Sequence, residues 1–203
     1  MVNENFFEKN GINVSRETFD KLKIFHDVLI KWNKTHNLIA QSTISDIWQR
    51  HILDSVQLVK FIDSDSQKIV DFGSGAGFPG LIIAIVNHHP VTLIESNQKK
   101  CFFLKEVQRL LNLDVHIISQ RIEDLEFLDA DVITARALDD LSGLLKFSHQ
   151  HLKKEGKCFF LKGEKIDDEI KLARKKWNFR YVKHLSLLNQ KSYILEIINI
   201  KKY

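Results

Sequence analysis

The chain has 203 residues, 44% of them apolar, and a formal charge of +4. That is enough for one well-buried core and a modest appendage. No apolar run is long enough to span a membrane and no signal peptide is visible, so the sequence points to the cytoplasm.

The charge is unevenly spread. Residues 1–144 carry 15 Lys/Arg against 20 Asp/Glu, whereas 145–203 carry 15 against 6. An acidic partner such as nucleic acid would be drawn to the C-terminal part; a basic face that only aids solubility fits the count equally well. Cys101 and Cys158 form no recognisable pair, and no Cys/His spacing suggests zinc, so both are expected as buried thiols.

In chain order, the first 62 residues read as helical. Phe19, Leu22, Phe25 and Leu29 recur at three- to four-residue spacing with Trp32 beyond them, and Ser15 suits the helix start. A second apolar face runs from Ile47 through His51, Ile52 and Val56 to Val59. Between them the polar stretch Asn33 to Leu38 contains asparagines able to tie down irregular backbone.

From Lys68 onward, short apolar strands alternate with helical stretches, the pattern of a βαβ domain. Strands are expected near 68–72, 91–94, 115–118, 131–135, 157–161, 179–184 and 193–199. Helices are expected near 79–87, 97–111, 138–151 and 165–176, with Lys153-Lys154-Glu155-Gly156 as a separator. A short connection before the last strand implies a terminal hairpin, hence a mostly parallel seven-stranded sheet with one strand reversed.

The most informative segment is Lys68-Ile-Val-Asp-Phe-Gly-Ser-Gly-Ala-Gly-Phe-Pro-Gly80, a strand breaking into a glycine turn before a helix. Gly75-x-Gly77-x-x-Gly80 matches a dinucleotide fingerprint. Gly73-x-Gly75-x-Gly77 instead places the first glycine directly after the strand and beside Asp71. An acid there suits a cationic amino-acid tail and gains nothing from a pyrophosphate. This favours S-adenosyl-L-methionine over NAD. Glu95, ending the second strand, has the acceptors to meet two ribose hydroxyls. Ile122 and Glu123 follow the third strand, where such a fold closes around adenine; a capped helix start explains them as well. Arg136 follows a central strand, where it would project into the same crevice.

Taken together, these residues closely resemble the bacterial small-subunit ribosomal RNA guanine-N7 methyltransferases, once called glucose-inhibited division protein B. The resemblance covers nearly the whole chain. It rests on Lys31-Trp32-Asn33-Lys34, Asn37-Leu38, Arg50-His51-Ile-Leu-Asp54-Ser55, Asp71 to Gly80, Glu95-Ser96, Lys99-Lys100, Arg121-Ile-Glu123, Thr134-Ala-Arg136 and Lys162-Gly163. The chain departs from it at Asn189-Gln190-Lys191-Ser192-Tyr193 in the final hairpin.

The resemblance implies a Rossmann-like methyltransferase domain over 63–203 with a helical region, 1–62, packed on it. It implies methylation at N7 of guanine 527 in the 530 loop of 16S ribosomal RNA, within the small subunit or an assembly intermediate. The cofactor set is then Gly73, Gly75, Gly77, Phe78, Glu95, Ile122, Glu123 and Arg136. Arg50, His51, Lys99, Lys100, Arg121, Lys162 and Lys191 are candidates to face RNA. Guanine N7 has a free lone pair, so no base among His51, His88 and His89 is required, and no metal. A methyltransferase for another RNA or a protein, an NAD-dependent oxidoreductase and a non-catalytic RNA-binding protein are the alternatives.

Overall fold

The computed structural model describes residues 5–62, 68–87 and 89–203. The expected boundary after residue 62 adjoins an undescribed stretch, and His88 lies outside the described residues. Helices α1 (Asn5–Glu8) and α2 (Arg16–His36) come first. An irregular helical path follows: 3-10 over Gln41–Asp46, π over Ile47–Leu53, α3 over Asp54–Val56, and 3-10 over Gln57–Phe61. The apolar face from Ile47 to Val59 is therefore wound with changing pitch. Its π segment carries Arg50 and His51, and π turns are frequent at functional sites.

The remainder alternates. Strands β1 (Ile69–Phe72), β2 (Val91–Ile94), β3 (Val115–Ile118), β4 (Ala130–Arg136) and β5 (Leu152–Lys162) are interleaved with α4 (Gly80–Asn87), α5 (Gln98–Leu111) and α6 (Leu141–His151). A 3-10 turn at Ile122–Asp124 precedes β4; then come α7 (Ile166–Ala173), β6 (Trp177–Leu185) and β7 (Tyr193–Lys202). The seven strands form one sheet in the order β3-β2-β1-β4-β5-β7-β6. Strands β1 to β5 pair in parallel, and β7 is antiparallel to both neighbours. This order reverses beside β1, so the carboxyl ends of β1, β2 and β4 border a crevice.

Each face of the sheet carries its own apolar cluster. Ile69, Leu81, Ile85, Leu93 and Phe103 pack with Phe7, Phe19, Leu22, Phe25 and Leu29, so the N-terminal helices share a core with α4 and α5. Val70, Phe72, Ile133, Leu141, Leu145 and Trp177 pack on the other face. Strand β1 is buried on both sides, which explains its unbroken apolar run around Asp71. Among the described residues, no helix is long and apolar enough to cross a membrane. Cys101 and Cys158 are both buried and unpaired, and burial pushes the Cys158 thiol up to about 12.

Several boundaries differ from the sequence reading for local reasons. Strand β5 begins at Leu152, so Lys153 to Gly156 lies within a strand. An irregularity at Ala130/Val132 accommodates it, and Lys153 pairs with Asp131 at 2.8 Å. Helix α6 starts at Leu141, because Ala137 is left-handed (φ 52°) and Asp140 caps the Gly143 N–H at 2.9 Å. Helix α7 ends at Ala173, which releases Trp177 into β6 and the core.

Candidate functional site

The strand-to-helix turn after β1 sorts its glycines into two jobs. Gly73, Gly75 and Gly77 have φ of 64°, 56° and 88°, a region L side chains rarely occupy. Gly80 has ordinary helical backbone, but a Cβ there would stand 2.6 Å from that of Asp71 and collide with Leu93. The first three glycines bend the loop; the fourth lets α4 lie against the sheet.

Asp71 holds this turn from beneath. It is fully buried; one oxygen accepts from the Thr134 hydroxyl at 2.7 Å and the other from the Gly80 N–H at 3.2 Å. Burial pushes its carboxyl up to about 6 despite these bonds. The sequence suits Asp71 to a ligand's cationic tail; in the structure its side chain closes the N-terminus of α4. That is the position where a helix would hold a pyrophosphate, and a carboxylate now stands in it. The loop amides are also engaged internally. Ser74 N–H donates to Ile94 O, and Gly77 and Phe78 N–H both donate to Ser74 O.

Glu95 ties the loop to β2. It is 7% exposed, accepts from Gly75 N–H at 2.9 Å and from Asn97 N–H at 2.7 Å. Two amides hold one carboxylate at a fixed orientation, leaving further lone pairs toward the adjoining cavity. That cavity is about 370 Å³ and is lined by Gly73, Glu95, Lys100, Ile122, Glu123 and Leu138 among others. Ile122 is buried on a 3-10 turn whose carbonyl is within hydrogen-bonding reach of His151 Nε2 at 3.2 Å. Leu138 lies over Gly73, where a Cβ would meet it at 2.5 Å. An acidic acceptor at one end and an apolar wall at the other suit a nucleoside.

Phe78 and Arg136 stand apart from this cavity, in a seam between the sheet and the irregular helical path. The Arg136 guanidinium lies 4.7 Å from the Phe78 ring centroid, donates to Arg50 O at 3.2 Å and faces Asp54 Oδ2 at 3.9 Å. Phe78 is 4% exposed, edge-on to Phe25 and stacked with His51 at 5.0 Å. Burial, then Arg136 and Arg50, drive the His51 imidazole down to about 3, so it is neutral. Asp54 also anchors the last hairpin. Gln57 Nε2 donates to Asp54 Oδ1 at 2.8 Å and to Ser186 Oγ at 2.9 Å, and Leu187 N–H donates to Gln57 Oε1 at 2.9 Å.

The seam has a pH signature. Burial raises the Asp54 carboxyl to about 6, opposed first by Arg136 and then by Ser186 and Gln57. The folded protein thus holds this proton more tightly than the unfolded chain does. The resulting stability is complete below the unfolded value and is lost as pH rises through about 6. Asparagine does not titrate. The stability of Asp54→Asn relative to wild type is therefore expected to improve by about 2 kcal/mol between about pH 4 and about pH 7. Urea unfolding of both proteins at the two pH values checks this; a pH-independent difference contradicts it.

The RNA-facing candidates separate by exposure. Arg50, Lys99 and Arg121 are exposed and Lys100 is half-buried at the cavity. Lys191 is exposed in the β6–β7 turn, paired with Glu164 at 3.0 Å. Lys162 differs: its side chain is 8% exposed and donates to Glu169 at 2.7 Å and to Asp139 O at 2.9 Å. It fastens the loop before α6 to α7 and presents no charge to a partner. His51 is likewise enclosed, with Nε2 2.9 Å from Thr43 Oγ1. His89 sits by Val91 and Lys68 at the opposite end of the sheet. Part of the C-terminal basic charge is there too: Lys153, Lys154, Arg180 and Lys201 line a cleft remote from the crevice. Sequence reasoning missed Leu138 and the Gln57–Ser186 anchor. Thr134 had a signal, a hydroxyl inside an apolar strand.

Residues 18–198 match the family model GidB, rRNA small subunit methyltransferase G. The chain is 42% identical over 199 residues to the ribosomal RNA small subunit methyltransferase G of Paramagnetospirillum magneticum, covering 98% of this chain and 96% of that protein. It is 40% identical over 191 residues to the protein of the same description from Rickettsia prowazekii, covering 94% and 99%. Among solved structures, the ribosomal protein L11 methylase of Lactobacillus delbrueckii subsp. bulgaricus superposes with a TM-score of 0.59 at 16% identity, covering 70% of this chain and 75% of that one. M. jannaschii TYW2 in complex with AdoMet gives 0.57 at 18% identity, covering 81% and 78%. These two likenesses are of fold alone. The fold is a Rossmann-like methyltransferase fold with a mostly parallel sheet and helical extensions, and the chain belongs to the rRNA small subunit methyltransferase G family.

Proposed function

We propose that this protein transfers a methyl group from S-adenosyl-L-methionine to N7 of guanine 527 in the 530 loop of 16S ribosomal RNA. It acts in the cytoplasm on the small ribosomal subunit or an assembly intermediate. Residues 1–62 form a helical region packed on the methyltransferase domain of 63–203. The observation that carries the choice of cofactor is Asp71 at the N-terminus of α4, with its oxygen on the Gly80 N–H. A dinucleotide's pyrophosphate would meet that carboxylate and an already bonded loop. A nucleoside with a cationic tail meets neither obstacle.

Bound S-adenosylmethionine supplies an electrophilic methyl group on a sulfonium. Gly73, Gly75 and Gly77 leave backbone without side chains beside it, Glu95 accepts from the ribose hydroxyls, and Ile122 with Glu123 encloses the adenine. Methylation at guanine N7 uses a lone pair already present and releases no proton. The protein's task is alignment of the base, so neither the neutral, enclosed His51 nor the distant His89 is needed as a base. Phe78 and Arg136 act from the seam beside the glycine loop. Arg50, Lys99, Lys100, Arg121 and Lys191 meet RNA phosphates.

Incubation with methyl-labelled S-adenosylmethionine and small ribosomal subunits, free 16S RNA or protein extract tests the reading. Label in small-subunit RNA is expected. Label confined to protein, or co-purification with reduced nicotinamide instead of S-adenosylhomocysteine, contradicts it.

A further inference from the structure

A second surface lies between the C-terminal end of α2 and the first turns of α5. It is a groove of about 470 Å³ bordered by Trp32, His36, Lys99, Phe102 and Lys105, and closed at one end by Glu106 and Arg109. The motif Lys31-Trp32-Asn33-Lys34 to Asn37-Leu38 builds one wall. Asn33 Oδ1 accepts from Ile39 N–H at 2.8 Å, and Asn37 is left-handed with φ 47°, so α2 stops abruptly after His36. The Trp32 and His36 rings lie 5.1 Å apart, and Trp32 rests edge-on against Phe103 at 5.8 Å.

The other wall is α5, where two adjacent phenylalanines part company. Phe103 is fully buried in the core, whereas Phe102 is 60% exposed. Lys99 and Lys105 stand one turn away from Phe102 on either side, on the same face of the helix. Arg109, further along, is held by Glu106 at 3.1 Å. The result is an exposed aromatic ring between two lysines, with a Trp–His pair facing it. A plane of delocalised electrons flanked by cations is the chemistry that single-stranded nucleic acid meets, a base on the ring and phosphates on the lysines.

We propose that this groove docks a single-stranded stretch of RNA, one base stacking on Phe102 while the flanking phosphates meet Lys99 and Lys105. The inference rests on the reading of the protein as an RNA methyltransferase. Two observations favour RNA over a protein segment. The groove carries Lys99 and Lys105 with its only acid, Glu106, engaged by Arg109. It also shares the first turn of α5 with the cofactor cavity: Lys99 borders the groove and Lys100 borders the cavity.

The test uses the full chain and a dye-labelled single-stranded RNA of about ten nucleotides, with binding read by fluorescence anisotropy. Phe102→Ala is expected to weaken binding about tenfold, Phe102→Tyr to restore it within about twofold, and Phe102→Leu to leave it weak. Lys105→Ala is expected to flatten the dependence of log affinity on log salt by about one phosphate contact. S-adenosylmethionine affinity is expected to stay at the wild-type value throughout, which shows each variant to be folded.

The proposal is overturned if wild type does not bind the RNA, if Phe102→Ala binds it as wild type does, or if leucine restores binding as fully as tyrosine. Loss of self-association in sedimentation, with RNA affinity unchanged, would assign the groove to a second copy of the chain and also overturn it. Methyl transfer by wild type to small subunits is run alongside. Failure of that transfer, with the Phe102 series behaving as expected, would remove the enzymatic reading and leave the docking site standing.

Discussion

Arg136→Ala is expected to lower single-turnover methyl transfer to small-subunit RNA by about a hundredfold while changing S-adenosylmethionine affinity by no more than about threefold. The separation follows from where the guanidinium lies. It is on Phe78, Arg50 O and Asp54, and it is not on the wall of the cavity that holds Glu95 and Ile122. Losing it leaves a buried carboxylate without its cation, so the variant will also be less stable. Those two losses can be told apart. Arg136→Ala combined with Asp54→Asn removes the orphaned acid and is expected to recover stability without recovering transfer. Arg136→Lys keeps the charge but not the planar fork, and an intermediate rate is expected. Full activity in the double variant would reduce Arg136 to a structural pin.

Glu95→Ala has the opposite profile. Its carboxylate accepts from Gly75 and Asn97 N–H, at 2.9 and 2.7 Å, and faces the cavity. Removal frees both amides, loosens the glycine loop and takes away the ribose acceptor. A hydrogen bond to a charged group contributes about 1.5–3 kcal/mol, so cofactor affinity is expected to fall between about tenfold and about a hundredfold. Glu95→Gln does little better, because its amide N–H group must face one of the two backbone donors. Affinity for RNA without cofactor is expected to be unchanged. Calorimetric titration with S-adenosylhomocysteine reads the first effect and anisotropy the second; unaltered cofactor affinity would leave Glu95 only its loop-tying role.

The sequence was most legible where local rules and tertiary structure agree. The Phe19-Leu22-Phe25-Leu29 stripe, the Ser15 cap and the alternation of apolar runs lead directly to α2 and the sheet. Gly73, Gly75 and Gly77 announce left-handed backbone because glycine adopts it without the steric cost other residues meet. Legibility failed where a side chain chooses among partners distant in sequence. Nothing near Asp71 says that it will meet Thr134 and Gly80 instead of a ligand, or near Lys162 that Glu169 will claim it. Asp54 and Arg136 each stood out, but their meeting across the seam depends on a π turn that hydrophobic periodicity does not encode. The charge count had the same limit: it located basic residues along the chain, while the fold sent Arg180 and Lys201 to the end remote from the crevice.

The central claim is the destination of the methyl group. Small ribosomal subunits lacking the modification are incubated with this protein and S-adenosylmethionine, and the RNA is digested and mapped by mass spectrometry. A single added methyl at N7 of guanine 527 in the 530 loop is expected, lost with Arg136→Ala. A methyl at another base or another atom, or one that persists in the variant at the wild-type rate, would contradict it.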